Sequence, residues 1–263
     1  MSSPTAYAVR SVVILEADRL YAEVLSQYVA RVFPRAQITQ VNLAESAALA
    51  LAARPADVFI AGISAAMEGD VLDLLWQRVV RPSRETRVLV VTARREYRLL
   101  GTLRTLEVDG VFDSATEMPD QLVLALATIA QGSRYWSPSI LQHMQKPGTA
   151  AMVFRLLTAF EQIVLSVIGD GCDDSAAARQ LGVSPSTVST VRRDLHRKLG
   201  VQHRGELVRV AAQQGFVRFT PAGTVRPGFA MLTAAYHARR TRRASSSPSP
   251  RPPPTSTLAL CAI

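Results

Sequence analysis

The sequence predicts two folded domains, an α/β domain with a parallel sheet and, after it, an all-α domain. In the first half, short aliphatic and β-branched runs such as Val12–Leu15 and Asp57–Ile60 alternate with stretches of helical periodicity. Strands that are apolar throughout belong to sheets covered by helices on both faces. Residues 154–219 contain no such run, and we predict four short helices there. A length of 263 residues accommodates both domains.

Strand-like runs divide the α/β domain, which we place at residues 11–132. Each run is followed by a segment of helical periodicity, and the last such segment spans Met118–Gln131. The pattern therefore predicts a five-stranded, parallel, doubly wound sheet. Residues 1–10 are an N-terminal arm, and residues 133–153, which contain Lys146-Pro147-Gly148, are predicted to be a linker. The five runs are Val12–Leu15, Ile38–Val41, Asp57–Ile60, Arg87–Val91 and Gly110–Phe112.

Positive charge is concentrated towards the C-terminus. The net charge is +9, residues 154–219 carry nine basic and six acidic side chains, and residues 220–263 carry six arginines and no acid. A polyanion is therefore expected to bind the C-terminal half. Residues 220–263 are also rich in Ser and Pro, and we predict a disordered tail. Such a tail is either a mobile basic arm that contacts phosphates or a dispensable solubilising segment.

Composition argues against several other classes of protein. No apolar run is long enough to cross a bilayer, and the first ten residues lack the pattern of a signal peptide. The two cysteines, Cys172 and Cys261, have no Cys or His neighbour at metal-ligand spacing. We therefore expect a cytoplasmic protein without membrane contact, metal or cofactor.

A helix-turn-helix is the most specific motif, at Asp173–Gly200. A short Ala-rich helix ends at Gly182, which can take a positive φ, and Ser184-Pro185 begins the next helix, Pro185–Leu199. One face of that helix is apolar and the other combines small polar residues with arginines. Small residues permit close approach to a groove, and Arg binds guanine or phosphate. The alternative is a solvated amphipathic helix in a bundle. The expected DNA contacts are Ser186, Thr187, Ser189, Thr190, Arg192, Arg193, Arg197 and Lys198.

About 60 residues around this motif resemble the LuxR/NarL-type helix-turn-helix. The matching segments are Leu157-Thr158-x-x-Glu161, Val164-Leu165, Ala178-x-x-Leu181-Gly182-Val183-Ser184, Thr187-Val188 and Arg197-Lys198-Leu199-Gly200-Val201. The resemblance implies that Pro185–Leu199 is the recognition helix and that Glu206–Gln214 is a fourth helix used for dimerisation. On that helix it points to Leu207, Val208, Val210 and Ala211.

The chain also departs from the family pattern. Phe160 stands where the family usually has Arg, and Ser189 where it usually has a phosphate-contacting Lys. Val191 replaces a common His, and Ala176-Ala177 replaces a Glu-Ile pair. These departures affect which sequence is read more than they affect the fold.

The α/β domain resembles a response-regulator receiver, most closely at Leu122–Gly132 and Ser133–Pro138. Phosphorylation of such a domain requires an acidic pair, an acceptor Asp, a hydroxyl and a Lys in one pocket. The residues at these positions are Glu16-Ala17, Gly62, Thr92 and Ser114, so only the hydroxyl remains. The resemblance therefore implies a degenerate receiver that is controlled without phosphorylation.

Other acidic residues are weaker candidates for this chemistry. Asp57, Glu68, Asp70 and Asp73 are interpreted as capping or solvated residues rather than substitute acceptors. Glu16 together with Asp18 either binds a cation weakly or is simply a pair of exposed carboxylates.

Taken together, the residues predict a dimeric, sequence-specific transcription regulator that binds double-stranded DNA. Its receiver-like domain is expected to respond to an unknown ligand, a partner protein or the abundance of the chain itself. One alternative is an interaction module that sequesters a partner regulator without reading DNA. An enzyme is disfavoured because the sequence lacks a nucleophile–base constellation, a Gly-rich phosphate loop and a His pair.

Overall fold

The computed structural model describes residues 9–64, 66–80, 86–145 and 156–245. The first domain contains six strands, which are β1 (Ser11–Leu15), β2 (Gln37–Val41), β3 (Val58–Gly62), β4 (Arg87–Thr92), β5 (Gly110–Asp113) and β6 (Tyr135–Trp136). They form one parallel sheet in the order β2-β1-β3-β4-β5-β6. Its helices are α1 (Arg19–Val32), α2 (Ala44–Ala53), α3 (Val71–Val80), α4 (Tyr97–Thr105), α5 (Pro119–Ala130) and α6 (Pro138–Gln145).

Both faces of the sheet are buried, which confirms the doubly wound fold. Along β1, Val12 and Ile14 lie in a core that α1 and α5 cover, whereas Val13 and Leu15 lie in a second core. Helices α2, α3 and α4 cover that second core. Successive side chains of a strand point to opposite faces, so an apolar run is stable only when both faces are dry.

The sheet has one strand more than the sequence predicts. We placed a linker at residues 133–153, but Tyr135 and Trp136 pair in parallel with Gly110 and Val111 at the edge of β5. Helix α6 follows, and its Ile140 is fully buried in the core of this domain. The unpaired backbone groups at the edge of β5 provide hydrogen-bond partners for a segment that returns to the sheet. A strand of only two residues has no recognisable pattern in the sequence.

The second domain consists of α7 (Ala159–Ile168), α8 (Asp174–Leu181), α9 (Pro185–Leu199) and α10 (Arg204–Gln213). The four predicted helices are therefore present. Their shared core is apolar and includes Val164, Val188, Leu195, Leu207 and Phe216.

The prediction of a disordered tail was wrong for residues 220–245. Arg218–Thr220 (β7) and Gly223–Val225 (β8) form an antiparallel hairpin, and Phe229–Ser245 is a helix, α11. Apolar residues order this segment, since Phe229 packs on the core of the helical domain and Met231 on a core of the α/β domain. The Ser/Pro-rich run that we predict to be disordered, Ser245–Pro254, lies outside the described ranges from residue 246 onwards. Within those ranges no helix is both long and apolar enough to cross a membrane.

Candidate nucleic-acid interface and receiver-like pocket

The turn between α8 and α9 is built from local hydrogen bonds. Asp173 Oδ1 accepts from the backbone N–H of Ala176 at 2.6 Å and starts α8, which ends at Gly182 with φ of +64°. Ser184 Oγ accepts from the N–H of Thr187 at 3.1 Å and starts α9. Side-chain caps satisfy backbone donors that a helix end would otherwise leave free. The capping pattern read from the sequence is therefore confirmed.

The back of α9 anchors it to the domain. Val188 and Leu195 are fully buried, and Val191 and Leu199 pack against the same core. This is the apolar face that the sequence predicts, and it leaves the opposite face of the helix directed outwards.

The outward face of α9 carries most of the predicted DNA-contacting residues. Ser186, Thr187, Thr190, Arg193 and Arg197 are exposed, and Ser189 is half-buried. Arg193 donates to Thr190 Oγ1 at 3.3 Å, and Arg197 pairs with Asp194 at 3.0 Å across one helical turn. Exposed pairs of this kind are weak, on the order of 0.3–0.5 kcal/mol, so both guanidinium groups can exchange them for DNA.

Two predicted DNA contacts are instead held within the domain. Arg192 donates to both carboxylate oxygens of Asp174 on α8, with its Nε at 2.9 Å from Oδ1 and its Nη2 at 3.0 Å from Oδ2. Lys198 Nζ lies 2.7 Å from Glu161 Oε2 and 3.1 Å from the carbonyl of Leu156. The hydrogen bond to Asp174 raises the pKa of Arg192. Both residues therefore orient α9 in this structure, and the DNA-contact assignments remain predictions.

Besides its ion pair with Lys198, Glu161 caps the N-terminus of α7. It accepts from the N–H of Thr158 at 2.7 Å, while Thr158 Oγ1 accepts from the N–H of Glu161 at 3.3 Å, which closes a capping box at the start of α7. Burial alone would raise the pKa of Glu161, but the hydrogen bonds from Lys198 and Thr158 outweigh it and lower that pKa. The carboxylate stays charged and ties the start of α7 to the end of α9.

The expected dimerisation residues of α10 divide into two pairs. Leu207 and Ala211 have no exposed surface and belong to the core of their own domain, so assigning them to a dimer contact was wrong. The cause is helical periodicity, because residues four apart share one face. Val208 and Val210 are half-buried and stay candidates.

At the carboxyl edge of the sheet lie the residues that the sequence places at the metal-binding and phosphoacceptor positions of a receiver, and here they form internal contacts. Glu16 is 3% exposed and its Oε1 accepts from the N–H of Asp18 at 3.1 Å. Its Oε2 occupies the space next to Gly62 in which a side chain would begin. Burial raises the pKa of Glu16. Asp18 Oδ1 accepts from the N–H of Tyr21 at 3.0 Å and caps α1, so Asp18 is an exposed helix cap whereas Glu16 is buried.

The remaining groups at this edge form internal hydrogen bonds. Thr92 Oγ1 donates to the carbonyl of Ile63 at 2.8 Å and accepts from the N–H of Arg94 at 3.0 Å. Next to Ser114, the buried Asp113 binds Arg95 at 2.5 Å. Burial alone would raise the pKa of Asp113, but hydrogen bonds that include those from Ser139 and Arg95 lower it. Arg95 is therefore paired with Asp113, the residue before Ser114, which stands where the receiver pattern has Lys.

An open cavity of about 550 Å³ lies over this edge. In the described part of the chain, no group of three His, Cys, Asp or Glu residues has the arrangement of a metal site. The cavity mixes aliphatic walls with a few polar groups. Its lining includes Glu16, Leu20, Tyr21, Val24, Thr92 and Ser114.

Sequence reasoning missed three residues that matter for the arrangement. Asp174 clamps Arg192, and its only sequence signal is its place in the first turn of α8. Arg98 of α4 is 2% exposed and donates to the carbonyl of Gly215 at 2.6 Å, and Arg218 binds the loop after β3. Nothing in the sequence distinguishes these two arginines from surface arginines, because their partners are backbone carbonyls.

The helical domain is similar to a known family of regulatory proteins. Residues 155–211 match the family model described as bacterial regulatory proteins, luxR family. The probable transcriptional regulatory protein SgaR of Hyphomicrobium methylovorum is 29% identical over 164 residues, which cover 60% of this chain and 72% of that protein. The transcriptional regulatory protein UhpA of Escherichia coli K12 is 35% identical over 95 residues, or 35% of this chain and 44% of that protein.

Solved structures match across both domains. RcsB from Salmonella enterica serovar Typhimurium, bound to promoter rprA in the presence of phosphomimetic BeF3-, aligns with a TM-score of 0.52 at 18% identity. The alignment covers 78% of this chain and 98% of that one. The likeness supports the fold, a receiver-like domain followed by a helix-turn-helix domain.

Proposed function

Because residues 155–211 match the family model of luxR-type bacterial regulatory proteins, we propose that this chain is a dimeric, sequence-specific, DNA-binding transcription regulator. The observation that carries the proposal is the exposed polar face of α9, with Arg193 and Arg197 directed away from the domain. A helix presented in this way fits the major groove, where Arg can bind guanine bidentately. It acts by binding in the cytoplasm, without a cofactor and without enzymatic activity.

Control of this regulator does not involve phosphorylation. Ala17 offers no metal ligand, Gly62 no acceptor and Ser114 no cation, and Glu16 fills the space beside Gly62. Transfer of a phosphoryl group needs a metal ion and a cation in one place to compensate the negative charge of that group. The input is a ligand, a partner protein or the amount of the chain, and the cavity over Glu16 and Thr92 is where a small ligand would bind.

Dimerisation supplies the second recognition helix. The relative UhpA is a transcriptional regulatory protein, and a solved structure of RcsB contains two dimers bound to two parallel DNAs. A dimer that places two copies of α9 on adjacent half-sites would read a site of matching symmetry. On α10, Val208 and Val210 are the residues that remain accessible for this contact.

The test is selection of bound duplexes from a random pool, followed by fluorescence anisotropy with the selected duplex and a scrambled one. We expect at least about 10³-fold tighter binding to the selected duplex at physiological salt. Equal affinity for both duplexes would contradict sequence-specific recognition. It would favour the alternative, a module that sequesters a partner regulator without reading DNA. The ion pairs of Arg192 and Lys198 within the domain are consistent with that alternative.

A further inference from the structure

Residues 218–245, which we call the docking segment, follow the helix-turn-helix domain and contact the α/β domain. Arg218 reaches the loop after β3, where its Nη1 donates to the carbonyl of Ser64 and its Nη2 to the carbonyl of Gly69, both at 2.9 Å. The guanidinium is mostly buried, and that burial lowers the pKa of Arg218. A buried cation that satisfies two carbonyls of another domain is a specific contact rather than a chance surface encounter.

The N-terminus of α11 is capped by the other domain. Asp70 Oδ2 accepts from the N–H of Gly228 at 2.6 Å, and the two oxygens of Asp73 accept from the N–H groups of Ala230 and Met231, each at 3.2 Å. The first N–H groups of a helix have no partner within it, and a helix normally supplies its own cap. Here the two carboxylates at the start of α3 fill that role. The sequence predicts these two acids at the start or on the face of a surface helix, and it gives no sign that they contact a second domain.

The other side of the docking segment packs on the helix-turn-helix domain. Tyr236 stacks on Phe160 of α7 with ring centroids 5.4 Å apart and an interplanar angle of 28°. Arg226 forms an ion pair with Asp170 at the end of α7. The luxR-type resemblance implies Arg at residue 160, and the stack on Tyr236 gives Phe160 a structural role there.

A direct contact between the domains lies beside the segment. Arg98 donates to the carbonyl of Gly215 and places its guanidinium 4.7 Å from the centre of the Phe216 ring. Burial lowers the pKa of Arg98 to about 10, and the nearby carboxylates of Asp70 and Asp73 limit that effect. The charges of the interface therefore compensate one another around the start of α11.

We infer that the docking segment is an intramolecular clamp. It binds the α/β domain through Asp70 and Asp73 and the helix-turn-helix domain through Phe160, and it holds α9 at a fixed orientation relative to the sheet. The interaction surface on the α/β domain is the start of α3 with the loop after β3, and its partner is the C-terminal segment of the same chain. The outward face of α9 stays exposed in this arrangement, so the clamp orients the recognition helix without covering it.

Nuclear magnetic relaxation of backbone ¹⁵N tests the clamp without DNA. In the full chain, the amides of both domains should report one rotational correlation time. In a chain truncated after Val217, we expect two different and shorter times, because the domains then move independently. A single common time in the folded truncated chain would overturn the inference.

A double variant, Asp73→Ala with Tyr236→Ala, tests the same point should the truncated chain fail to fold. Hydrogen exchange of the Ala230 and Met231 amides should become about tenfold faster, since a lost helix cap opens the first turn. Asp120→Ala is the matched control, because Asp120 is an exposed acid of the same domain whose ion pair is with Arg31, outside the docking segment. Unchanged exchange in the double variant would contradict the clamp.

If the clamp fixes the orientation of α9, it should also limit the spacing of half-sites that the chain can bind. This expectation rests on the proposed function. Inserting about 5 base pairs, half a helical turn, between two half-sites rotates one site to the opposite side of the duplex. We expect the insertion to weaken binding of the full chain at least tenfold and of the truncated chain less than threefold. Equal losses would show that the clamp does not set the half-site spacing. The relaxation and exchange results are independent of DNA, so they distinguish a failed clamp from a failed proposal of DNA binding.

Discussion

The carboxylate of Glu16 lies in the space that a side chain at residue 62 would fill. A Cβ at Gly62 would overlap Glu16 Oε2 and would lie 2.8 Å from the carbonyl of Leu15. Glu16 is itself buried, and that burial raises its pKa. The acid at residue 16 and the glycine at residue 62 are therefore complementary, because any side chain at residue 62 would overlap the carboxylate of Glu16.

Replacing the missing acceptor should not restore phosphorylation. Gly62→Asp should lower the free energy of unfolding by about 1–3 kcal/mol, because the new side chain overlaps Glu16 and a backbone oxygen. Incubation with acetyl phosphate and Mg²⁺, followed by intact mass measurement, should show no added phosphoryl group in the variant or the natural chain. Gly101→Ala is the control, since a Cβ there meets nothing within 4 Å. A stoichiometric mass gain that hydroxylamine removes would contradict this prediction.

Arg193 and Arg192 are neighbours on α9 and should behave differently. Arg193→Ala should cost about 1–3 kcal/mol in binding of the selected duplex and relax its base preference, because this exposed side chain is free to meet a base edge. Arg192→Ala should instead lower the free energy of unfolding by about 1–3 kcal/mol, since it leaves Asp174 without its bidentate partner. Anisotropy titrations and urea denaturation separate the two effects. The reverse pattern would mean that the DNA-contacting face of α9 is assigned to the wrong residues.

Two adjacent residues of α10 offer a similar contrast. Leu207→Ala should lower the free energy of unfolding by about 2–5 kcal/mol, because Leu207 fills the core of its own domain. Val208→Asp should leave the isolated fold stable and weaken dimerisation, because Val208 is half-buried and reaches the surface. Sedimentation equilibrium measures the second effect and urea denaturation the first. Unchanged dimerisation in Val208→Asp would remove α10 from the dimer contact.

The basic end of α11 should contribute to sequence-independent binding. Replacing Arg239, Arg240, Arg242 and Arg243 with Gln should weaken binding to any duplex alike. The slope of log affinity against log salt should fall in magnitude by up to about 3–4, since each phosphate contact contributes about 0.9. Preference for the selected duplex over the scrambled one should not change. An unchanged slope would support the alternative, a solubilising segment.

Stability should depend on pH through Asp70. Burial, followed by repulsion from Asp73, raises the pKa of Asp70 to about 7. The folded chain therefore binds this proton more tightly than the unfolded chain, whose ordinary pKa is 3.8. This contribution to stability is fully present below about pH 4 and is lost as the pH rises through about 7. Arg98 and Arg218 also face this carboxylate and limit the loss.

Asp70→Asn removes the charge but keeps one acceptor oxygen, whereas Asp70 Oδ2 accepts from Gly228 and Oδ1 accepts from Leu72 and Asp73. The lost acceptor lowers the free energy of unfolding at every pH, so the expected signature is the difference between pH values: relative to the natural chain, the variant should be more stable at pH 8 than at pH 5 by about 2 kcal/mol. Urea denaturation at the two pH values measures this difference. Asp120→Asn serves as the control, because Asp120 is exposed and lies away from the interface. Equal effects of Asp70→Asn at both values would show that Asp70 does not titrate in this range.

The sequence by itself determined the features that depend on neighbours along the chain. The apolar run of β1 required a sheet buried on both faces, and Ser184-Pro185 with Gly182 required a turn between two helices. The absence of an acceptor at Gly62 is also readable from the sequence, since no fold can supply a side chain that the residue lacks. Local geometry and residue chemistry are sufficient for these conclusions.

Only the tertiary structure decided which polar residues meet across the fold. Arg192 looks like Arg193 in the sequence, but Asp174 of the preceding helix holds it. Composition made residues 220–245 look like a solvated tail, whereas a few apolar side chains and carboxylates 150 or more positions away order it, as in the bond from Gly228 to Asp70. Burial and pairing depend on elements that are distant in sequence, so a pattern along the chain carries no record of them.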